Sequence, residues 1–403
     1  MAINDKKIRN ELDDNKKSHS YIHRRINKTQ NELNDEADRI SNIEIKLTPK
    51  IPNQIIKKGK KQLQLKKALI EPKYDSKTVL TDSTWSYVEI FLKSAGKSSD
   101  DLDAVTYWNQ ARNFYEATES LIMISKPLTT YYCMLNATKA LLTHKRVDFD
   151  LKHGVSGLKR DGHHRLQNEI ITIHQLGVLS GLCRYMQDFI NPGVAGESYS
   201  LKEILHNLEY IHRAYSLTYN QAELFIPIED PKFIFDKSLK KGWFQAELEV
   251  AYSNKETMKK LTGYSIDKNA TISSNYIIRR NKKFDWEVSR NHPNEQSFES
   301  FKRYYFNRRK EIRYIYGPEK LWYIKRKDVQ QNLIDRSSLT LTYAAMHRLS
   351  ELSRYDPDIL RKHLEGKESW LLTEFITKSI TQFIDIISSE ITGNDFRLTG
   401  FRT

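Results

Sequence analysis

PLTTYYCMLNATKALL, residues 127–142, is the stretch on which the fold turns. Pro127 suits the first turn of a helix, where its missing N–H has no intrahelical partner to lose. A polar tail at 143–150 closes the segment. Upstream, Val105, Trp108, Ala111, Tyr115 and Leu121 repeat with helical period across roughly 101–124. The two segments therefore read as an antiparallel helical hairpin.

Outward from the hairpin, STWSYVEIFLKSAG opens the folded body, with Trp85, Val88, Phe91 and Leu92 on one helical face and a break at 94–99. Before it, Ile22, Ile26, Leu33, Ala37, Ile40 and Leu47 recur at three- and four-residue steps, a stripe of coiled-coil type. Pro49 and Pro52 end that stripe, and KKGKKQLQLKK (57–67) reads as a linker or extended basic arm. Downstream, 163–190 is mixed and 199–213 is helical again. LFIPI (224–228), KFIFD (232–236), WFQAELEVAY (243–252) and SNYIIRR (274–280) are aromatic or β-branched and bounded by turn formers, so they read as strands. From about Ser337 to Ile391 the period returns to helix, with Leu339, Tyr343, Met346 and Leu349 on one face.

The expected architecture is mainly α, of the α+β class: a helical bundle with a small inserted, mostly antiparallel β-sheet and a C-terminal helical region. Its expected divisions are an arm at 1–75, a helical domain at 76–215, a β-containing insert at 216–335 and C-terminal helices at 336–403.

With 65 Lys+Arg against 51 Asp+Glu the formal charge is +14, which draws a protein toward RNA, DNA or an acidic partner; the other reading is that lysine keeps a large surface soluble. Cys133 and Cys183 lack the paired spacing of a disulfide framework or zinc site, so a reducing cytoplasm is expected. No apolar run approaches the roughly 20 residues that span a bilayer, and MAINDKKIRNELDDNKK lacks the apolar stretch of a signal peptide. No Gly-rich phosphate loop of the GxxxxGK[ST] kind occurs, and GVSG (154–157) lacks the context of a serine-hydrolase elbow. Asp148, Asp150 and Lys152 echo a metal-nuclease triplet but follow a helix, and no His and Glu cluster has metal-ligand spacing. No metal or other cofactor is expected.

Two resemblances emerge from these residues. Tyr131, Tyr132, Met134, Ala137, Ala140, Leu141 and Leu142, followed by His153 and Gly154, resemble the signature helix and His-Gly turn of HEPN domains. RSSLTLTYAAMHRLSELSRYDPDIL (336–360), LHNLEYIHRAYSL (205–217) and the Trp85 segment resemble the YaaC-like family. The HEPN resemblance implies a small helical bundle, often dimeric, that binds RNA or cleaves it without a metal in bacterial defence or stress systems. Its catalytic members use Arg-x(4 to 6)-His, the histidine moving a proton at the ribose 2′-hydroxyl and the arginine stabilising the phosphorane. Arg146 and His153 have that spacing, although the pair straddles a helix tail and a turn; the other reading is that His153 orders the turn.

A second candidate lies in FKRYYFNRRKEIRYIYGPEKLWYIKRK (301–327), where Lys302, Arg303, Arg308, Arg309, Arg313, Lys325 and Arg326 alternate with Tyr304, Tyr305 and further aromatics. Cations that neutralise phosphates beside rings that stack bases suit single-stranded nucleic acid. The same pattern also describes a half-buried element with its aromatic face inward. His212-Arg213 and His347-Arg348 are adjacent pairs expected to serve interhelix hydrogen bonds. The resulting expectation is a nucleic-acid-binding protein, RNA foremost, with endoribonuclease activity as its catalytic form; the alternative is a non-catalytic scaffold assembling with an acidic partner, with copies of itself or within a larger complex.

Overall fold

Pro127 stands at the start of helix Lys126–His144, whose residues from Thr130 to Leu142 are buried on almost every side. A helix apolar all round belongs in a core. In this computed structural model it is packed by helices Ser99–Glu119, Ser338–Tyr355 and Ser369–Thr392. The structure describes residues 53–399 except 96–98, 161, 268–269, 271–274, 290–291, 318–320 and 330–331, together with scattered positions between 22 and 36.

The chain divides into two units, Met1–Pro52 and Asn53–Thr403. The described positions of the first are helical, and Ile22, Ile26 and Leu33 are exposed at 53, 55 and 59%. Ala37, Ile40 and Leu47, the rest of the expected stripe, lie outside the described residues.

The second unit corrects the mainly-α expectation. An eight-stranded antiparallel sheet runs in the order Tyr264–Ile266, Ile277–Arg280, Lys241–Glu247, Phe225–Asp236, Leu321–Lys325, Ile312–Ile315. Gln54–Ile55 adds to Phe225–Asp236, and Phe284–Asp285 to Lys241–Glu247. This is a full layer and no small insert, so the protein is not a mainly helical bundle. The short runs 224–228 and 232–236 are one long strand, irregular between Glu229 and Lys232. Two further strands hide in the basic-aromatic stretch, where Trp322 and Ile324 alternate inward. Helix Glu295–Arg309 lies against this sheet, around Phe233, Phe244, Trp286, Phe301 and Tyr305. A second core, around Trp108, Met134, Tyr343 and Phe375, fills the helical layer.

KKGKKQLQLKK is not an extended arm. Lys57–Lys58 pairs with Lys61–Gln62 as a small hairpin, and Lys66 and Lys67 are buried at 0 and 1% exposure. The Lys67 ammonium sits 2.8 Å from Asp385 and donates to the Phe396 carbonyl at 3.0 Å. The Lys66 and Lys67 carbonyls accept from Arg309 at 2.8 and 2.7 Å. The segment is thus tied to helix Ser369–Thr392 on one side and helix Glu295–Arg309 on the other.

A three-stranded antiparallel sheet, Val155–Lys159, Glu169–His174 and Gly196–Ser200, forms from the region whose sequence pattern is mixed. It packs on helix Ser338–Tyr355 and carries the residues of greatest chemical interest.

Candidate active site

His153 enters this site through a tight turn. Gly154 has φ +77°, and Gly177, at φ +119°, would drive a Cβ to 2.4 Å from the Gly154 Cα, so the two backbones touch only because both lack side chains. The contact docks the turn on helix Val178–Tyr185, whose first amides donate to the Lys152 and His153 carbonyls at 2.8 and 3.1 Å. The backbone of His153 therefore does order the turn. Its side chain remains at the surface.

The His153 Nδ1 lies 2.6 Å from the Tyr131 hydroxyl, which is itself 3.2 Å from the hydroxyl of buried Tyr343. Nε2 has no partner among the described residues. Partial burial, then the charges of Lys139 and Arg354, hold the imidazole below the ordinary histidine pKa, against an opposing pull from Glu351. The ring is thus neutral at neutral pH, with one nitrogen oriented and the other open. Neither Lys139 nor Arg354 has a carboxylate partner among the described residues; Lys139 lies 5.4 Å from the Tyr107 ring centroid and Arg354 4.9 Å from that of Tyr355.

Behind His153 lies His347, 5.6 Å away between ring centroids and 4.9 Å from Tyr131. Burial, with His153, Arg348 and His174 nearby, pushes His347 down to about 3. A neutral ring makes no ion pair with Glu351, although Oε1 is 3.8 Å from Nδ1. His174 completes the group: its amide donates to the Gly154 carbonyl at 2.9 Å and its Nε2 is 2.8 Å from the Ser156 hydroxyl.

A buried polar brace fixes these elements. Arg348 binds Glu169 Oε2 at 2.7 Å and Glu351 Oε2 at 2.9 Å, while Glu351 Oε1 accepts from the Gly157 amide at 3.2 Å. Burial pushes the Glu169 carboxyl up, but hydrogen bonds from His363 and Arg348 outweigh it and the net shift is down. A Cβ at Gly157 would stand 1.9 Å from Glu351 Oε2 and 2.4 Å from Arg348 Cδ, so any side chain there displaces the brace. Arg348 thus joins a helix to a strand, in place of the expected interhelix bond, while His347 packs against the Tyr131 ring of a neighbouring helix.

A model of the family described as YaaC-like Protein matches residues 64–391. The chain belongs to the YaaC-like family. No curated protein and no solved structure matches it. The YaaC-like match takes in the whole histidine cluster and begins inside the basic run 57–67, ahead of the expected body. The HEPN likeness finds no counterpart in these matches.

In this YaaC-like chain Arg146 does not join His153. It follows the end of helix Lys126–His144 at φ +53°, exposed, whereas His153 sits beside Tyr131 near the start of that helix. Tyr131 and the helix end are separated by roughly 20 Å at about 1.5 Å per residue. The Arg-x6-His spacing is sequence coincidence on a chain that folds back.

The basic-aromatic candidates are placed just as plainly. Arg308, Arg309, Arg313, Lys325 and Arg326 are all exposed by 8% or less, and Tyr304 and Tyr305 are buried. Arg308 pairs with Glu311 at 2.7 Å and Arg326 with Asp328 at 2.7 Å. Arg313 donates to the Arg336 carbonyl at 3.0 Å and Lys325 to the Ile334 carbonyl at 2.7 Å. The Tyr304 hydroxyl accepts from the Phe244 amide, and that of Tyr305 bonds Lys66. Only Arg303 is exposed, and half-buried Lys302 pairs with Glu299. The residues meet, but as an internal clamp. Tyr131, Lys139, Ser156, His174, Glu351 and Arg354 escaped sequence reading as a site because strand register and helix docking alone bring them together. Among the described residues no group of three or more His, Cys, Asp or Glu is arranged to hold a metal ion.

Proposed function

We propose that this YaaC-like protein binds single-stranded RNA and cleaves it by general acid–base chemistry at His153. One observation carries the reading: a surface imidazole is held neutral, fixed at Nδ1 by Tyr131, open at Nε2, and flanked by two cations without carboxylate partners. RNA suits such a site because its own 2′-hydroxyl is the nucleophile. His153 Nε2 accepts that proton as the 2′-oxygen attacks phosphorus. Lys139 and Arg354 stabilise the charge gathered on the phosphoryl oxygens. The bond to the 5′-oxygen then breaks, and the leaving oxygen takes a proton from His174. The products are a 2′,3′-cyclic phosphate and a 5′-hydroxyl.

The test compares cleavage of labelled single-stranded RNA in EDTA by wild type, His153→Gln and Arg146→Ala. His153→Gln should lose at least about 100-fold, the usual scale of general-base catalysis, while Arg146→Ala keeps the wild-type rate. Inactive wild type, or an unimpaired His153→Gln, would sink the proposal.

The exposed row of Ile22, Ile26 and Leu33 favours a second, compatible reading, in which the N-terminal unit docks a partner helix or a second copy. Light scattering should show a smaller assembly when residues 1–52 are removed; an unchanged mass for the isolated protein and its complexes would dismiss it.

A further inference from the structure

Alternate residues of a strand share a face, so the three-stranded sheet has two different surfaces. One is closed by helix Ser338–Tyr355: Gly157 meets Arg348 and Glu351, Glu169 binds Arg348, and Ile171 and Ile173 are fully buried. The other is open. Its register sets Ser156 beside Thr172 and Thr172 beside Ser198; in the next row Leu158 is exposed while Ile170 and Ser200 are buried, each 7% exposed.

Along this open face the polar groups are continuous. The His174–Ser156 bond of 2.8 Å is followed by the Thr172–Ser198 bond, also 2.8 Å. Beyond them the face runs into a polar cleft of about 470 Å³ whose lining includes Arg160, Gln167, Asn168, Ser198 and Lys202. Leu158, 66% exposed, stands within the face as an apolar spot on which a base could rest.

The cleft is electropositive. Arg160 is exposed and its guanidinium has no partner among the described residues. The Lys202 ammonium lies 4.3 Å over the Tyr219 ring, free of a carboxylate partner among the described residues, because neighbouring Glu203 is engaged by the Ser200 amide and hydroxyl at 2.7 and 2.8 Å. Around it, the first strand ends in Lys159 and the loop that follows carries Arg160, His163, His164 and Arg165. The exposed His164 senses this field: Lys159 first, then slight burial and Lys362, lower its pKa.

We propose that the open face of this sheet seats the RNA strand adjoining the bond cut at His153, with Arg160 and Lys202 holding a backbone phosphate at its far end. From Ser156 to Arg160 the face extends about 13 Å at roughly 3.3 Å per residue, room for a short run of nucleotides. The proposal rests on the RNA-cleaving reading for the direction of the strand, but its binding test does not depend on cleavage.

The probe is a fluorescent single-stranded 2′-O-methyl oligoribonucleotide, which His153 has no hydroxyl to activate. Its affinity is measured by anisotropy over a salt series for the full chain and for an Arg160→Ala/Lys202→Ala variant, with thermal unfolding confirming that the variant is folded. The expected result is at least about a tenfold weaker Kd and a salt slope shallower by roughly 1.4, about 0.7 for each cation taken away from a single-strand phosphate. Equal affinity and equal slope would overturn the binding face even if RNA is cleaved at His153. Loss of affinity in the variant supports the face even if no RNA is ever cleaved, in which case only the catalytic reading falls. A full chain that does not bind the probe at all overturns the face.

Discussion

Two stretches of this chain are rich in cations and have opposite fates. In 301–327 every arginine but Arg303 points inward: Arg309 spans the Lys66 and Lys67 carbonyls and Arg308 meets Glu311, while Lys325 reaches Ile334. In 159–165 the described side chains are exposed or half-buried, and Arg160 has no described partner. The first region has more charge and all the aromatics, yet all of its candidate cations but Arg303 are already engaged. A cation binds a phosphate only if the fold has left it without a carbonyl or carboxylate of its own. The contrast predicts that mutations in the first region damage stability and those in the second damage binding.

The largest effect should come from Arg309→Ala. It removes the Arg309 donors to the buried Lys67 and Ile312 carbonyls and one of two side-chain donors to that of Lys66, and each buried acceptor left unsatisfied costs about 1–3 kcal/mol. Urea unfolding should show that loss, with RNA affinity of the folded fraction unchanged. A stable variant that no longer binds RNA would reverse the contrast between the two stretches.

Lys325 offers a pH signature. Burial, reinforced by Arg313 and opposed by Glu209 and Asp335, pushes its ammonium down to about 7. Between there and the ordinary lysine value near 10.4 the unfolded chain binds more protons than the folded one. Lys325 therefore makes the fold more stable as pH rises through that window. Unfolding free energies at several pH values from 7 to 10 should rise less steeply in Lys325→Met, by up to about 1.4 kcal/mol per pH unit. An identical slope in the variant would show that burial does not lower the Lys325 pKa.

The smallest effect should follow Lys302→Ala/Arg303→Ala, the surface remnant of the stretch. Stability should stay within about 0.5 kcal/mol and RNA affinity should not change. A clear loss of RNA binding there would return the basic-aromatic helix to the interface.

Much of the helical layer is legible in the sequence because its evidence is local. Pro127 and the apolar run behind it mark helix Lys126–His144, and Leu339, Tyr343, Met346 and Leu349 mark the buried face of helix Ser338–Tyr355. The sheets are legible only in part. Gln54–Ile55 is two residues long and pairs with Phe235 and Ile234 far along the chain, so no local period announces it. The site divides in the same way. His153 and Gly154 are visible as a turn, but the meeting of His174 with Ser156 depends on strands pairing Val155 with Ile173, and Arg348 finds Glu169 only once a helix has docked on that sheet. Arg146 and His153 are close along the chain, but Arg146 lies past the end of helix Lys126–His144 and His153 beside Tyr131 near its start.

Proton transfer at His153 leaves its mark on the ends of the product. RNA incubated with the full chain in EDTA should yield fragments ending in a 2′,3′-cyclic phosphate and beginning with a 5′-hydroxyl, with His153→Gln inactive. Fragments bearing a 3′-hydroxyl and a 5′-phosphate, or the same yield from His153→Gln, would contradict general acid–base cleavage at this histidine.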